Sequence, residues 1–430
     1  MHTPESLRRA AGDRPVAVVY PAYTMAAYAV IRNLGRRGVP ILAMNPWPHP
    51  HMKSRWVTAM ESPNFTEDPR AFVDRLKAVA AELPGGLVLY LMEDVYVYLI
   101  HRFRDELPAN VRFPFMDEDA LAMSLDKRAM FDAAERAGLP LPWTAYPTTA
   151  AELEALRDAI PFPCLMKPLV SRFSFGGAPE ARAVELFPRT FGGKCARADD
   201  FESLERLFLR ARSLGIPVCI QELLSGPMES IYGVHLYADD QHAILGAATG
   251  RKLRQVPGDF GTGTLCEAVR RDDALAYARR FVHEARYRGI GGIEFMEDPR
   301  TGQLKLIEIN PRGVHWLGLS LVAGVELPYL KYADLIGQPF HQAQRHHHGR
   351  WVDGRGDVAF WKRYSQEPAS PYHHTFTEWL GPLLGASPAV MNWQDPVPGL
   401  MGLVPKNLGA RYLAFKAAVT GRRSAELSQS

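Results

Sequence analysis

Continuous apolar runs alternate with a helical pattern over the first 115 residues. Three runs are typical of parallel strands buried on both faces: Pro15–Tyr20, Val39–Met44 and Gly86–Leu91. Between the first two, residues 24–37 carry apolar side chains at helical spacing. This order of strand, helix and strand predicts a doubly wound, Rossmann-like α/β domain over residues 1–115. The turn after the first strand has no GxGxxG motif, so we do not expect a dinucleotide site there.

Residues 116–345 mix short strands and helices, which predicts a second domain of the α+β type. A helix that begins at Asp126-Lys127 is stopped by the proline-rich stretch Gly138–Pro142. A short strand with Lys167 near its end precedes a loop rich in Ser, Phe and Gly, residues 171–177. Further helices and strands are expected at Phe201–Leu214, Val218–Leu224, Ile231–Tyr237, Ala243–Thr249 and Asp272–Arg288.

The pattern weakens in residues 346–430, which we treat as a C-terminal extension. This segment is rich in Trp, His and Pro, and its last amphipathic helix is expected near residues 411–419. Histidine-rich stretches at residues 49–51 and 346–348 lie in polar loops, and we do not expect them to bind metal.

Two strands near residue 300 are expected to form an acidic hairpin. The runs 291–296 and 304–312 flank a turn-rich stretch, as in an antiparallel pair. Folding about that turn places Glu294 roughly opposite Glu308, within cross-strand reach.

The second strand of this hairpin should divide its side chains between two faces, because side chains alternate along a strand. Glu308, Asn310 and Arg312 fall on one face, and Ile307 and Ile309 should enter the core. Carboxylate and amide oxygens crowded together favour a hard cation such as Mg²⁺, and a guanidinium beside them suits nucleotide phosphates. The alternative is an amphipathic hairpin whose polar face is only solvated.

Composition narrows the class of protein. A chain of 430 residues with a formal net charge of +3 does not require nucleic acid as a partner. The four cysteines are scattered and form no CxxC pair, which favours reduced thiols in a cytoplasmic setting. The polar N-terminal segment lacks the apolar core of a signal peptide, and no apolar run is long enough for a membrane span.

In chain order, these motifs resemble the ATP-grasp superfamily from about residue 15 to residue 340. That family has a DK helix followed by Gly-x-Pro-x-Pro, a strand ending in Lys-Pro, a glycine-rich loop, a Gln-Glu-hydrophobic hinge and a closing Glu-x-Asn-x-Arg. The matching segments are Asp126-Lys127, Gly138–Pro142, Lys167-Pro168, residues 171–177, Gln221–Leu224, and Glu294 with Glu308–Arg312. The resemblance implies an ATP-grasp fold over residues 116–345, with a lid at about 160–225, behind a Rossmann-like pre-ATP-grasp domain.

The resemblance also implies an ATP cleft. Lys127 and Lys167 would neutralise phosphates as point cations, although both could be solvated surface lysines. Lys194 would lie near the adenine or the phosphates, and the loop of residues 171–177 would close over the triphosphate. Glu229 would bind the ribose hydroxyls, or is otherwise a loop carboxylate. The hinge would present its main-chain groups to the adenine edge from Gln221, Glu222, Leu223 and Leu224.

At the other end of the cleft, Glu294, Glu308 and Asn310 would hold one or two Mg²⁺ ions, with Mn²⁺ as an alternative. Arg312, with Lys167, would be catalytic and would bind the transferring group or a substrate carboxylate.

Residues that would recognise the substrate are less clearly indicated. Arg251 and Lys252 cluster with Arg254 on one strand and could bind the carboxylate, although a solvated strand face is the alternative. His315 and Trp316 follow the metal strand and could line the acceptor pocket or pack in the core.

The implied activity is an ADP-forming ligase that activates a carboxylate as an acyl phosphate and joins it to an amine. Asp357 and Asp395–Pro398 resemble the carboxy-terminal segment of predicted ATP-grasp carboxylate–amine ligases akin to D-aspartate ligase. The alternatives are a carboxyphosphate-forming enzyme similar to biotin carboxylase and a non-catalytic nucleotide-binding regulatory protein. The expected partners are a small carboxylate and a small amine, and a homodimer is compatible with this reading.

Overall fold

The computed structural model describes residues 3–123, 126–169, 186–340 and 346–403. These residues form three β-sheets with helices packed against them. The glycine-rich loop of residues 171–177 and the helix expected near residues 411–419 lie outside the described residues. None of the described helices is long and apolar enough to cross a membrane.

The N-terminal sheet is parallel, with the order β3-β2-β1-β4-β5. Its strands are β1 Val16–Tyr20, β2 Ile41–Asn45, β3 Val57–Glu61, β4 Leu87–Leu91 and β5 Val111–Arg112. The connecting helices are Met25–Arg36, Pro69–Ala81 and Asp94–Arg102, preceded by Glu5–Ala11. The side chains of β1, β2 and β4 are buried throughout, which explains their uninterrupted apolar runs. The predicted Rossmann-like arrangement is confirmed.

A small antiparallel sheet follows, with the order β6-β9-β7-β8. Its strands are β6 Thr144–Ala145, β7 Cys164–Pro168, β8 Ala196–Ala198 and β9 Val218–Glu222. Helices of this part and of its approach are Glu118–Met123, Lys127–Arg136, Ala150–Ala155 and Phe201–Ser213. The last of these buries Phe201, Leu204 and Phe208 in a core of the sheet's own. The small sheet begins at Thr144, earlier than the residue 160 expected for the lid.

The largest sheet has seven strands in the order β14-β13-β10-β11-β12-β15-β16. They are β10 Ile231–Ala238, β11 Ile244–Val256, β12 Thr262–Ala268, β13 Gly289–Glu297, β14 Leu304–Asn310, β15 Gly349–Val352 and β16 Ser387–Pro388. The helices that accompany this sheet are Asp272–Glu284, Gly318–Val322, Leu327–Leu335, Gly354–Tyr364, Phe376–Leu380 and Pro396–Leu403. All its strand pairs are antiparallel except β15 with β16.

The C-terminal extension contributes to this sheet, which the boundary at residue 345 did not anticipate. β15 pairs with β12 over residues 349–352, and β16 then pairs with β15. Such short strands have too few residues for a period-2 pattern to emerge, so the sequence reads as an irregular tail. β15 thereby covers the edge of β12, whose backbone groups would otherwise lack partners.

The N-terminal and largest sheets share hydrophobic cores. One cluster contains Val18 and Leu89 from the first sheet together with Leu236 and Phe295 from the largest. Residues of the N-terminal domain and of the strands that carry the acidic hairpin therefore belong to one continuous hydrophobic core.

Candidate active site

The acidic hairpin forms in the predicted register. β13 and β14 pair antiparallel, with Glu294 opposite Glu308 and Gly292 opposite Asn310. Glu294 and Asn310 are buried, and Glu308 is half-buried. The hairpin thus brings two carboxylates and an amide together on neighbouring strands.

A β-bulge lies within this hairpin and corrects one expectation. Glu294 pairs with Glu308, but the next residue, Phe295, pairs with Leu306, so Ile307 is an extra residue on β14. The bulge interrupts the alternation: Leu306 enters the core, and Ile307 is half-buried and lines the cavity described below. The prediction that Ile307 points into the core was therefore wrong, whereas Ile309 does belong to the core cluster.

Lys252 is the ionic partner of Glu294. Its Nζ lies 2.9 Å from Glu294 Oε2, and both side chains are buried. The ammonium offsets one of the two crowded negative charges on the hairpin.

The hairpin donors fit Mg²⁺ by their chemistry. Two carboxylates and an amide oxygen are hard ligands, and Mg²⁺ commonly takes one or two protein carboxylates, leaving its other positions to water and phosphate. Within the described residues, no group of three His, Cys, Asp or Glu side chains could hold a metal. Any cation here would therefore depend on Glu294, Glu308 and Asn310, completed by ligands from substrate or solvent.

Arg312 is anchored by the N-terminal domain. Its Nε lies 2.7 Å from Oδ1 of Asp94, the first residue of the helix after β4, and both side chains are nearly buried. Arg312 Nη2 also donates to Oδ1 of Asn310 at 3.2 Å. The carboxyl end of the first sheet therefore fixes an arginine beside the acidic hairpin.

The predicted phosphate-binding lysines come from adjoining elements. Lys167, in β7, donates from Nζ to Gln221 Oε1 at 2.6 Å, and Gln221 Nε2 donates to Thr144 Oγ1 at 3.0 Å. The N–H of Lys127, at the start of its helix, donates to Leu169 O at 3.3 Å, which ties that helix to the end of β7. Lys194 is exposed just before β8.

The hinge contains a buried carboxylate held by cations. Glu222 accepts from Lys305 Nζ at 3.0 Å, from the Trp143 N–H at 3.2 Å, and from Arg300. Burial raises the pKa of Glu222, but these donors together lower it by more than burial raises it. The pKa of Glu222 therefore lies below its usual value. The side chain is thus charged and occupied, consistent with a role for the main chain rather than the carboxylate in this segment.

The main-chain N–H groups of the hinge differ in whether they are free to bind a ligand. The Glu222 N–H donates to Trp143 O at 2.8 Å, and the Leu223 N–H makes a long bond to Pro163 O at 3.4 Å. Within the described part of the chain, the Leu224 N–H has no hydrogen-bond partner. Leu224 is therefore the hinge residue with a donor left for a ligand.

A cavity of about 630 Å³ lies between the small and largest sheets. It is lined by most of the predicted site residues: Lys127, Lys167, Lys194, Gln221, Glu222, Leu223, Leu224, Lys252, Glu294, Glu308, Asn310, Arg312 and His315. Trp316 also lines it, although its side chain is largely buried against His235. The volume falls within the range typical of small-molecule sites.

Two predicted residues are not brought to this cavity. Glu229 is exposed in a short helical turn, and only its neighbour Met228 contributes to the wall. Arg251 points away from Lys252 along β11 and pairs with Glu267 at 2.9 Å. Their assignments to ribose and carboxylate remain predictions without support from cavity geometry.

The C-terminal extension closes one side of the cavity. Tyr372 lines the wall, and its hydroxyl donates to Asp259 Oδ1 at 2.5 Å. His315 Nε2 lies 3.1 Å from Oδ2 of Asp353, at the start of the helix Gly354–Tyr364. Burial raises the pKa of Asp353, but the contact with His315 and the N–H donors of Gly356 and Arg355 together lower it more, so the pKa lies below its usual value.

Several functional contacts were not found from the sequence. Asp94 follows β4 at the carboxyl end of the first sheet, where ligands of open sheets bind, but its partner Arg312 lies 218 positions further along the chain. No sequence signal marks Asp353 or Tyr372, because each contacts the site from a segment without a recognisable period.

No known family model matches this chain. D-aspartate ligase from Enterococcus faecium is 22% identical over 276 residues, covering 61% of this chain and 62% of that protein. The carbamoyl phosphate synthase large chain from Myxococcus xanthus is 23% identical over 302 residues, covering 66% of this chain and 25% of that protein. The chain thus spans less than two thirds of the length of either relative.

Solved structures are similar over most of the chain. N5-carboxyaminoimidazole synthetase from Staphylococcus aureus matches with a TM-score of 0.59 and 11% identity, covering 83% of this chain and 86% of the other. Biotin carboxylase from Campylobacter jejuni matches with a TM-score of 0.57 and 14% identity, over 78% and 74%. An L-amino acid ligase from Bacillus licheniformis matches with a TM-score of 0.54 and 14% identity, over 77% and 78%. These likenesses confirm the expected fold.

Proposed function

We propose, taking as premise that the chain has the ATP-grasp fold, that it is an ATP- and Mg²⁺-dependent ligase that joins a carboxylate to an amine and releases ADP and phosphate. One observation carries the proposal. A single cavity is lined by the Gln221–Leu224 hinge, by lysines 127 and 167, and by the acidic pair Glu294 and Glu308. A hinge, cations and a metal-binding pair in one cavity suit the base, phosphates and counter-ion of a nucleoside triphosphate.

ATP would lie across the cavity with its adenine at the hinge. The free N–H of Leu224 would donate to the adenine edge. Lys167 would be directed at the phosphates by its bond to Gln221, and Lys127 would add a second positive charge.

Mg²⁺ would be held by Glu294, Glu308 and Asn310 and would supply positive charge against the phosphate oxygens. The chain's own residues do the remaining work. Lys252 limits the repulsion within the acidic pair, and Asp94 holds the Arg312 guanidinium where it can bind an anionic oxygen of the transferring group.

The carboxylate would attack the γ-phosphorus, and the resulting acyl phosphate would react with an amine to form an amide. Neither step requires a covalent bond to the protein. Alignment of the reactants in a closed cavity can contribute roughly 7–11 kcal/mol toward the barrier. Similarity to D-aspartate ligase favours an amino acid as the carboxylate, and the L-amino acid ligase neighbour agrees with that class.

The test is an ATP-consumption screen of acids crossed with amines. The acids would be D-aspartate, L-aspartate and other L-amino acids, with bicarbonate as a separate arm, and products would be identified by mass. We expect ADP release that needs both an amino acid and an amine. Dependence on bicarbonate instead would assign the chain to carboxyphosphate chemistry, and ATP binding without turnover would indicate a regulatory protein.

Glu308→Gln supplies the matched negative control for this screen. The variant keeps the shape of the side chain but removes a charge from the cation site, so ADP release should fall by at least about 10²-fold. Glu202→Gln alters an exposed carboxylate on the helix Phe201–Ser213 and should leave turnover unchanged. Undiminished turnover in Glu308→Gln would exclude this residue from metal binding.

A further inference from the structure

A histidine and a carboxylate from different segments meet at the cavity wall. His315 follows β14 and lines the cavity, and its side chain is 32% exposed. Its Nε2 lies 3.1 Å from Oδ2 of Asp353, whose side chain is only 9% exposed. Trp351 packs edge-on against the imidazole, with ring centroids 5.9 Å apart.

This contact selects one tautomer of His315. A carboxylate only accepts hydrogen bonds, so Nε2 must carry the proton that is shared with Asp353. Nδ1 then bears the lone pair, and within the described residues it has no hydrogen-bond partner. A buried carboxylate behind the ring also stabilises the imidazolium that forms when Nδ1 accepts a proton.

Asp353 is fixed independently of the histidine. Its Oδ1 accepts from the Arg355 N–H at 3.2 Å at the start of the helix Gly354–Tyr364. The titratable groups near the pair are Arg355, Asp357 and His51. Burial lowers the pKa of His51 to about 3, so His51 stays neutral and does not compete for the proton.

We propose that His315 is the general base that deprotonates the amine substrate and that Asp353 positions it; this rests on the proposed ligase function. The amine arrives as R–NH₃⁺, and Nδ1 of His315 takes one proton. The nitrogen lone pair then attacks the acyl carbon, and the carbon–oxygen bond to phosphate breaks with its electron pair going to the phosphate. The departing phosphate takes the second proton from nitrogen, which leaves a neutral amide.

The experiment separates proton removal from acyl phosphate formation. Hydroxylamine is largely uncharged at neutral pH, so it can trap an acyl phosphate as a hydroxamate without a base. His315→Gln should keep hydroxamate formation within about threefold of wild type. With the amine substrate found in the screen, turnover should fall roughly 10²–10⁴-fold and recover as the pH approaches the pKa of the free amine. His283→Gln, at an exposed position in the helix Asp272–Glu284, is the control and should change neither reaction.

Asp353→Asn tests the positioning role. Asparagine caps helices about as well as aspartate, so the helix should keep its start while the ring loses its anionic partner. We expect the same selective loss of amine turnover, of smaller size. In ¹⁵N-histidine-labelled protein, His315 should be the Nε2–H tautomer in wild type and a mixture of tautomers in Asp353→Asn.

The outcomes distinguish a failure of the general-base role of His315 from a failure of the proposed ligase function. An equal fall in the hydroxylamine and amine reactions, or no fall in either, would show that His315 only forms the wall. If wild-type protein forms neither hydroxamate nor ADP with any acid, the ligase function fails and the role of His315 as its base fails with it. The tautomer measurement still reports whether the contact with Asp353 exists.

Discussion

Lys331 is a fully buried lysine without an acidic partner among the described residues. Its Nζ lies 4.6 Å from the ring centroid of Tyr90 and 4.8 Å from that of Phe113. Aromatic faces attract a cation, but they replace only part of its hydration. Burial therefore lowers the pKa of Lys331 to about 7.

This shift predicts how stability depends on pH. The folded pKa of about 7 lies below the ordinary value of 10.5, so the unfolded chain binds more protons between these limits. Stability should rise with pH through that window, by up to ~5 kcal/mol at ~1.4 kcal/mol per pKa unit. Lys331→Met should be more stable than wild type below pH 7, and its advantage should shrink as the pH rises toward 10.5. Urea denaturation from pH 6 to 10 measures this, with the exposed Lys53→Met as control. Parallel curves for wild type and Lys331→Met would contradict it.

Residue positions within regular strands could be predicted from the sequence. Folding about the turn predicted Glu294 opposite Glu308, and the structure has that pair. Alternation failed at Ile307, because a bulge depends on how two strands pair and leaves no mark in the apolar pattern of one. The contact between His315 and Asp353 joins residues 38 positions apart and was equally invisible.

At the level of secondary-structure elements, a buried ion pair holds the C-terminal extension against β11. Arg254 Nε lies 3.2 Å from Asp357 Oδ1, and both side chains are almost fully buried. Asp357 also accepts from Thr264 Oγ1 at 3.1 Å and from Trp379 Nε1 at 2.8 Å. One carboxylate thus joins two strands of the largest sheet to two helices of the extension.

Removing one partner of this pair should cost more than removing both. Asp357→Leu leaves the Arg254 guanidinium buried without a countercharge and should destabilise the fold by about 3–5 kcal/mol. The double variant Arg254→Met/Asp357→Leu removes both charges and should recover a large part of that loss. Chemical denaturation of the two variants and wild type measures the difference. A double variant as unstable as the single one would mean that Asp357 acts through its other hydrogen bonds.

Elements of the extension were the hardest to predict. The helices Phe201–Ser213 and Asp272–Glu284 have a regular apolar face, and both begin where the sequence indicated. β15 has four residues and β16 has two, so neither strand has a regular apolar face. Only the pairing of β15 with β12 and of β16 with β15 makes them strands, and a single sequence does not contain that information.

At the scale of the whole molecule, the ion pair between Asp94 and Arg312 makes the N-terminal domain part of the site. Asp94→Asn should keep the fold and ATP affinity but loosen the guanidinium. We expect kcat for ADP release to fall at least about tenfold, with KM for ATP nearly unchanged, because the lost interaction acts on the transferring group. Asp105→Asn, a substitution elsewhere in the same domain, is the control. A change in KM alone would place the effect on ATP binding instead.

The order of domains could be predicted because each motif falls on a local element with its own pattern. The first sheet follows from buried apolar runs, and the lysines, the hinge and the hairpin then follow in chain order. The shared core between the sheets could not be predicted, since Val18 and Phe295 join one hydrophobic cluster only after both sheets have formed.

The bulge at Ile307 also limits how this hairpin can be transferred or compared. An alignment that runs without a gap from Leu304 to Asn310 against a regular strand would assign the wrong residue to the position opposite Glu294. The same holds for protein engineering: a graft that continues regular pairing from Leu304 without allowing for the extra residue would place Ile307 opposite Glu294. Deleting Ile307, in contrast, would make Leu306 and Glu308 consecutive, so that Leu306 still pairs with Phe295 and Glu308 still pairs with Glu294.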